Sequence, residues 1–128
     1  MMNKTDYLRN ALANHVLRGV TFTPPSAWYV ALFNVTPTSA GGGTEVTGGS
    51  YIRRAAVFSA SSAGESHNTN VITYPTPTLD WGDVPGVAVF DALTAGNMLY
   101  FGTLGTPKTV YAEDALFFPI GYFSITES

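Results

Sequence analysis

The segment Ala27-Trp28-Tyr29-Val30-Ala31-Leu32-Phe33 constrains the fold more than any other part of the chain. It follows Pro24 and Pro25 and is apolar at every position. A strand with one face in water alternates apolar and polar residues, because successive side chains point to opposite faces. This segment does not alternate, so it predicts a central strand covered on both sides. An opposing sheet and a helix, or a neighbouring subunit, are the covers expected.

The rest of the chain supplies partners for that strand. Residues 51–60 read as a strand with Ile52, Arg54, Ala56 and Phe58 on one face and Arg53, Ala55 and Val57 on the other. Shorter runs at 71–74, 87–90, 97–103 and 116–126 read the same way. Pro75 and Pro77 close the first of these, as fits an edge or a strand end. Residues 79–83 read as a turn anchored by Trp81, and Ala95-Gly96-Asn97 suits a hairpin. Gly105-Thr106-Pro107 is expected to turn the chain into Thr109-Val110-Tyr111. Glu113-Asp114 is expected to turn it into the last strand. About seven or eight strands at intervals of roughly 8–12 residues predict an antiparallel β-sandwich, jelly-roll-like or Ig-like, over 26–126. With 128 residues and no boundary, the chain is expected to be a single domain.

One helix is expected, over residues 3–18. Asn3 is its candidate cap, with Asp6 reaching back to it. Leu8, Ala11, Leu12, His15 and Val16 share a face at i, i+3, i+4 spacing. Gly19 reads as the stop and Arg18 complements the helix dipole. The helix should dock through Leu8, Leu12 and Val16. Residues 37–50 carry almost no side chain to pack. They are expected to form an exposed loop held by backbone contacts, ordering against a neighbour.

Composition narrows the function. Only 12% of residues are charged, about half the usual share, while aromatics reach 13%. That disfavours helical bundles and disorder. Six basic residues against nine acidic ones exclude a dense basic stripe, so no nucleic-acid partner is expected. No apolar run approaches the ~20 residues of a membrane-spanning helix. Lys4, Asp6, Arg9 and Arg18 interrupt any signal-peptide core, so a soluble protein made without a secretion signal is expected. A surface this poor in charge is a solubility hazard for a free monomer, which predicts that part of it is covered.

No catalytic constellation emerges. His15 lies on the apolar stripe and His67 in a polar turn, and no histidine pair has ligand spacing. With no cysteine, thiol ligands are excluded, and neither metal nor cofactor is expected. Asp80 and Asp83, like Glu113 and Asp114, have turn spacing rather than the separation of a glycosidase pair. Gly48-Gly49-Ser50 lacks the second half of a nucleophile elbow. The glycines at 102 and 105 have the wrong spacing for a phosphate loop. Arg53-Arg54 is the only basic pair. On a strand the two point to opposite faces, so an inward arginine needs a carboxylate or carbonyl partner, within the chain or across a subunit boundary. Tyr51, Tyr74, Trp81, Tyr100, Tyr111 and Tyr122 are scattered over many strands and read as core or interface fillers, with a sugar platform as the alternative.

Several stretches together resemble a known family. They are Tyr7-Leu8-Arg9-Asn10-Ala11-Leu12, Trp28-Tyr29-Val30-Ala31-Leu32-Phe33, Gly43-Thr44-Glu45-Val46-Thr47-Gly48-Gly49 with Tyr51 and Arg53, Asp80-Trp81-Gly82, and Asn97-Met98-Leu99-Tyr100-Phe101-Gly102. The chain resembles the small structural proteins of tailed bacteriophages often labelled tail fibre or minor structural proteins. That resemblance implies a non-enzymatic, oligomeric virion component assembled in the host cytoplasm. It would serve as a capsid decoration (cement) protein or as a tail or fibre part. Its partners would be copies of itself and the major capsid or tail proteins; a receptor- or carbohydrate-binding module of a fibre is the alternative. The residues expected at such contacts are Leu8, Leu12 and Val16 on the helix, Gly41, Gly42, Gly43, Thr44, Glu45, Gly48 and Gly49 in the loop, and Arg53 and Arg54.

Overall fold

A computed structural model describes residues 2–126. In chain order its elements are β1 (Asn3–Lys4), α1 (Asp6–Arg18), β2 (Trp28–Val35), β3 (Thr44–Glu45), β4 (Arg54–Ala56), β5 (Glu65–His67), β6 (Ile72–Thr73), β7 (Gly82–Phe90), β8 (Met98–Val110), β9 (Phe117–Phe118) and β10 (Ser124–Thr126). The mainly β fold, with antiparallel sheets and one N-terminal helix, is the one expected.

The doubly apolar segment is β2, and it sits inside the main sheet. That sheet runs β1-β8-β7-β2-β3, with β4 sharing the β3 flank of β2. On one face, Val30 and Leu32 of β2 meet Val87 and Val89 of β7 in a core completed by Ile72, Tyr74, Trp81, Phe118, Phe123 and Ile125. Two short ribbons, β5–β10 and β6–β9, cover this face in place of a continuous second sheet. Phe118, Phe123 and Leu32 are fully buried, each worth about 1.5–3 kcal/mol of burial. On the other face, Ala31 and Phe33 meet Ala88 and Phe90, with Met98 and Phe101 packed against them. Both faces of β2 are thus buried within the chain itself.

Asn68 ties the ribbons together. It is fully buried, its amide donates to the carbonyls of Asn70 and Pro119, and its Oδ1 accepts from the Phe123 amide. A buried amide is tolerated only when its donors and acceptor are satisfied in this way.

Several boundaries differ from expectation. The helix begins at Asp6, because Asn3 and Lys4 pair instead with Phe101 and Tyr100 on β8. The cap is Thr5, whose Oγ1 accepts from the Leu8 amide and donates to the Met98 carbonyl at 2.7 Å. Gly19 ends the helix in the left-handed conformation at φ 68°, as expected. Docking is confined to the first turns: Leu8 is buried and Leu12 half-buried, but Val16 is 76% exposed. Gly105-Thr106-Pro107 does not turn the chain. β8 runs through it, and the register slips from Val84–Lys108 to Gly86–Thr103. Extra residues of β8 therefore bulge opposite Pro85. Neither Pro85 nor Pro107 has an amide hydrogen to give the ladder, so an irregularity there loses little. Only Arg54–Ala56 of the 51–60 run is strand. The 116–126 run is divided into β9 and β10 around Gly121, at φ 80°.

Candidate interaction surface

The glycine-rich segment is built onto its own chain. Thr38 and Gly41 close a hairpin whose tip accepts a hydrogen bond at the Ser39 carbonyl from the Asp6 amide. Thr44 and Glu45 form β3 on β2, and Val46 is buried in the main core. Two glycines are required by close approach. A Cβ on Gly43 would lie 2.5 Å from the Val35 carbonyl oxygen, and one on Gly49 would lie 2.8 Å from Trp81 Nε1. The Gly49 carbonyl accepts from that same Trp81 nitrogen at 3.0 Å. Gly41, Gly42 and Gly48 face open space. The expected backbone contacts thus exist, and they are intramolecular.

Arg53 holds the base of this segment. Its Nε and one terminal nitrogen reach the two oxygens of Glu45, each at 2.9 Å. The other terminal nitrogen donates to the carbonyls of Ala92 and Ala95. The guanidinium carbon lies 3.7 Å from the centre of the Phe90 ring. An arginine this buried needs such a set of partners. The pair that the sequence left open between intra- and inter-subunit is made within the chain. Arg54 is exposed and donates to the Thr73 carbonyl.

Tyr51 extends the network. Its hydroxyl donates to Glu45 and accepts from the Leu32 amide. Burial, reinforced by the Glu45 hydrogen bond, pushes this phenol well above its usual range. Tyr74, fully buried with its hydroxyl on the Val30 carbonyl, is raised for the same first reason. Both stay neutral and act as donors. Their rings join Trp81, Phe118, Tyr122 and Phe123 in one run of stacked and edge-on contacts. Most of the scattered aromatics are therefore core.

Asp91 and Asp114 serve local turns, accepting from Asn97 and the Tyr111 amide. Asp80 and Asp83 do not form the turn pair expected: Asp83 lies in β7 and accepts from Thr109 across the ladder, and Asp80 accepts from the distant Ala112 amide. His15 contacts the Val20 carbonyl, and His67 contacts Ser59. Among the described residues no three His, Asp or Glu side chains converge as a metal site would require. A cleft of about 490 Å³ lies between Phe33, Phe90 and the 41–43 glycines, and its carboxylates, Asp6 and Glu45, are paired with Arg9 and Arg53.

What remains for recognition is apolar surface. Val16 and Leu17 stand 76% and 81% exposed at the end of α1, and Val20 follows them. Leu79 and Tyr111 stand out at the far end of the sheet, and Phe117 and Ile120 on the β9 side. The approach of the chain at Leu79 to the chain at Tyr111 was invisible in the sequence, since only the fold brings Asp80 to the Ala112 amide and Trp81 to the Val110 carbonyl.

Comparison with curated proteins gives no match. The family model described as podophage GP4 fiber I protein gp80 matches residues 3–126, from β1 through β10. With nearly its whole length matched, the chain belongs to the podophage GP4 fiber I protein gp80 family.

Proposed function

We propose that the chain is a non-enzymatic structural subunit of a tailed-phage fibre, held among other virion proteins by subunit–subunit contacts. The observation that carries this reading is the family match along the whole fold. The chemistry of the chain accords with it. The buried arginine, the buried asparagine and the core tyrosines are consumed by internal bonds, so they build a rigid body rather than a reactive cleft. Large apolar side chains at both ends of the body stay exposed, as suits a part that is covered on assembly. The aromatic rings that a sugar platform would use are mostly buried in the core, which favours the structural reading over the receptor-binding one.

Gold-labelled antibody on intact virions, with quantitative mass spectrometry of copy number, tests the fibre assignment. Label at the tail with few copies per particle is the expected result. Label spread over the head, at one copy per capsid lattice position, replaces the fibre with a decoration role.

A further inference from the structure

The layers of the fold do not close completely beside Trp28. The core row of β2 runs from Leu32 through Val30 to Trp28, which is only partly buried and packs against the core from outside. On the neighbouring strands, Val89 of β7 pairs with Tyr100 of β8. Facing this wall, Ser66 of β5 pairs with Ile125 of β10, and Phe58 bridges to Asn68. The β5–β10 ribbon has only three residues in each strand, so it covers the main sheet without sealing it here. Between the two walls lies a cavity of about 330 Å³, which Val57 and Ser59 also line. Its floor is Val89 and Ile125, both buried, and Val57 at its mouth is 56% exposed.

We propose that this cavity is a binding site for one uncharged aromatic group of up to two fused rings. The lining selects that chemistry. It holds no charged side chain, so an ion entering it would shed water without gaining a partner. The rings of Trp28, Phe58 and Tyr100 and the aliphatic Val57, Val89 and Ile125 make most of the wall, and they suit a flat apolar body. Polar groups are few. The Ser59 hydroxyl already accepts from the His67 amide. That leaves the Ser66 hydroxyl and the Trp28 indole N–H, neither of them hydrogen-bonded among the described residues. A sugar brings more hydroxyls than these two groups can satisfy. Size sets the upper limit: an apolar cavity of about 150 Å³ takes up one benzene ring, and this one is roughly twice as large. The inference concerns the isolated chain and stands apart from the fibre reading: its failure leaves family membership and the fibre assignment untouched.

Titration of the full chain with indole, followed by NMR, tests it. The methyl signals of Val57, Val89 and Ile125 should shift together and saturate with a dissociation constant of about 0.1–1 mM, as befits so small a ligand. Benzoate, a ring that carries a charge, should leave them unmoved. Ser66→Phe fills the cavity from its own wall, and Val57→Glu sets a charge at its mouth. Each variant should lose the shifts, and circular dichroism checks that the fold is retained. The same ring can arrive free or as a side chain presented by another protein, and N-acetyltryptophanamide tells these apart. If it binds as tightly as indole, the cavity is assigned to a presented side chain; if indole alone binds, it is assigned to a free molecule. No saturable shift with indole, equal binding of benzoate, shifts that persist in both variants, or equal shifts at Val16 and Leu17 on α1 would each overturn the proposal.

Discussion

Arg53 grips the Glu45 carboxylate through two parallel hydrogen bonds, each of 2.9 Å, while its guanidinium lies on the Phe90 ring. One side chain thereby joins β3, the end of β7 and the turn at 92–95. Removing it leaves Glu45 partly buried without its cation, and the Ala92 and Ala95 carbonyls without their donor. Arg53→Ala should lower the unfolding free energy by about 3–5 kcal/mol. Arg53→Lys keeps the charge but not the fork, and should fall between the two. Urea denaturation monitored by tryptophan fluorescence measures both.

Alkaline pH should destabilise the fold. Tyr51 and Tyr74 hold their protons in the folded state well above the pH at which a free tyrosine releases its own. In the unfolded chain they ionise near pH 10. Above that pH the unfolded state binds fewer protons than the folded one, so stability is full at neutral pH and falls as pH rises past about 10. Tyr74→Phe should make that fall shallower, while losing the bond to the Val30 carbonyl. Urea midpoints measured from neutral pH to about pH 11 decide this; a curve equally steep in the variant would show that Tyr74 is not a source of the effect.

The glycines of the 41–49 segment should differ in cost. Gly41 has φ 91° with open space around its Cβ position, so Gly41→Ala should lose only about 1–2 kcal/mol of backbone strain. Gly43→Ala adds a clash with the Val35 carbonyl and Pro37. It should lose roughly 1–3 kcal/mol more than Gly41→Ala. Thermal unfolding of the two variants gives the order directly.

Thr5 should control the helix. It caps α1 at Leu8 and anchors the cap to β8 through the Met98 carbonyl. Thr5→Ala should cost about 1–2 kcal/mol. Hydrogen exchange should rise at the α1 amides and stay unchanged at β2 and β7. Uniform loss of protection would mean that the helix and sheet open as one unit.

The sequence made legible whatever depends on local pattern. The missing alternation in β2, the left-handed stop at Gly19 and the turn role of Asp114 are properties of neighbouring residues, and all appear in the structure, whereas Asp83 lies in β7 and, like Asp80, bonds to a distant partner. It misled where a distant strand offered better partners. Residues 3–4 look like the start of a helix until the edge of β8 is available, and Gly105-Thr106-Pro107 looks like a hairpin until β7 is seen running beside it. The 37–50 segment looked dependent on a neighbour because glycines have no side chains to pack. Its anchors are a tryptophan 32 positions on from Gly49 and the Leu32 carbonyl that receives the Val46 amide, which no local reading could supply.

The outer edge of β8 has a consequence for how the folded chain meets other copies of itself. Beyond Phe101 no other described strand pairs with it on the side that β1 occupies. A long bare edge invites lateral zipping into aggregates. Here the bulge bends that edge away from a straight line, Pro107 withholds a donor, and Lys108 follows with its charge. The same irregularity that hid β8 from a reading of its sequence protects newly made chains from sticking side by side. The flank of the main sheet is thereby made a poor template for a further strand.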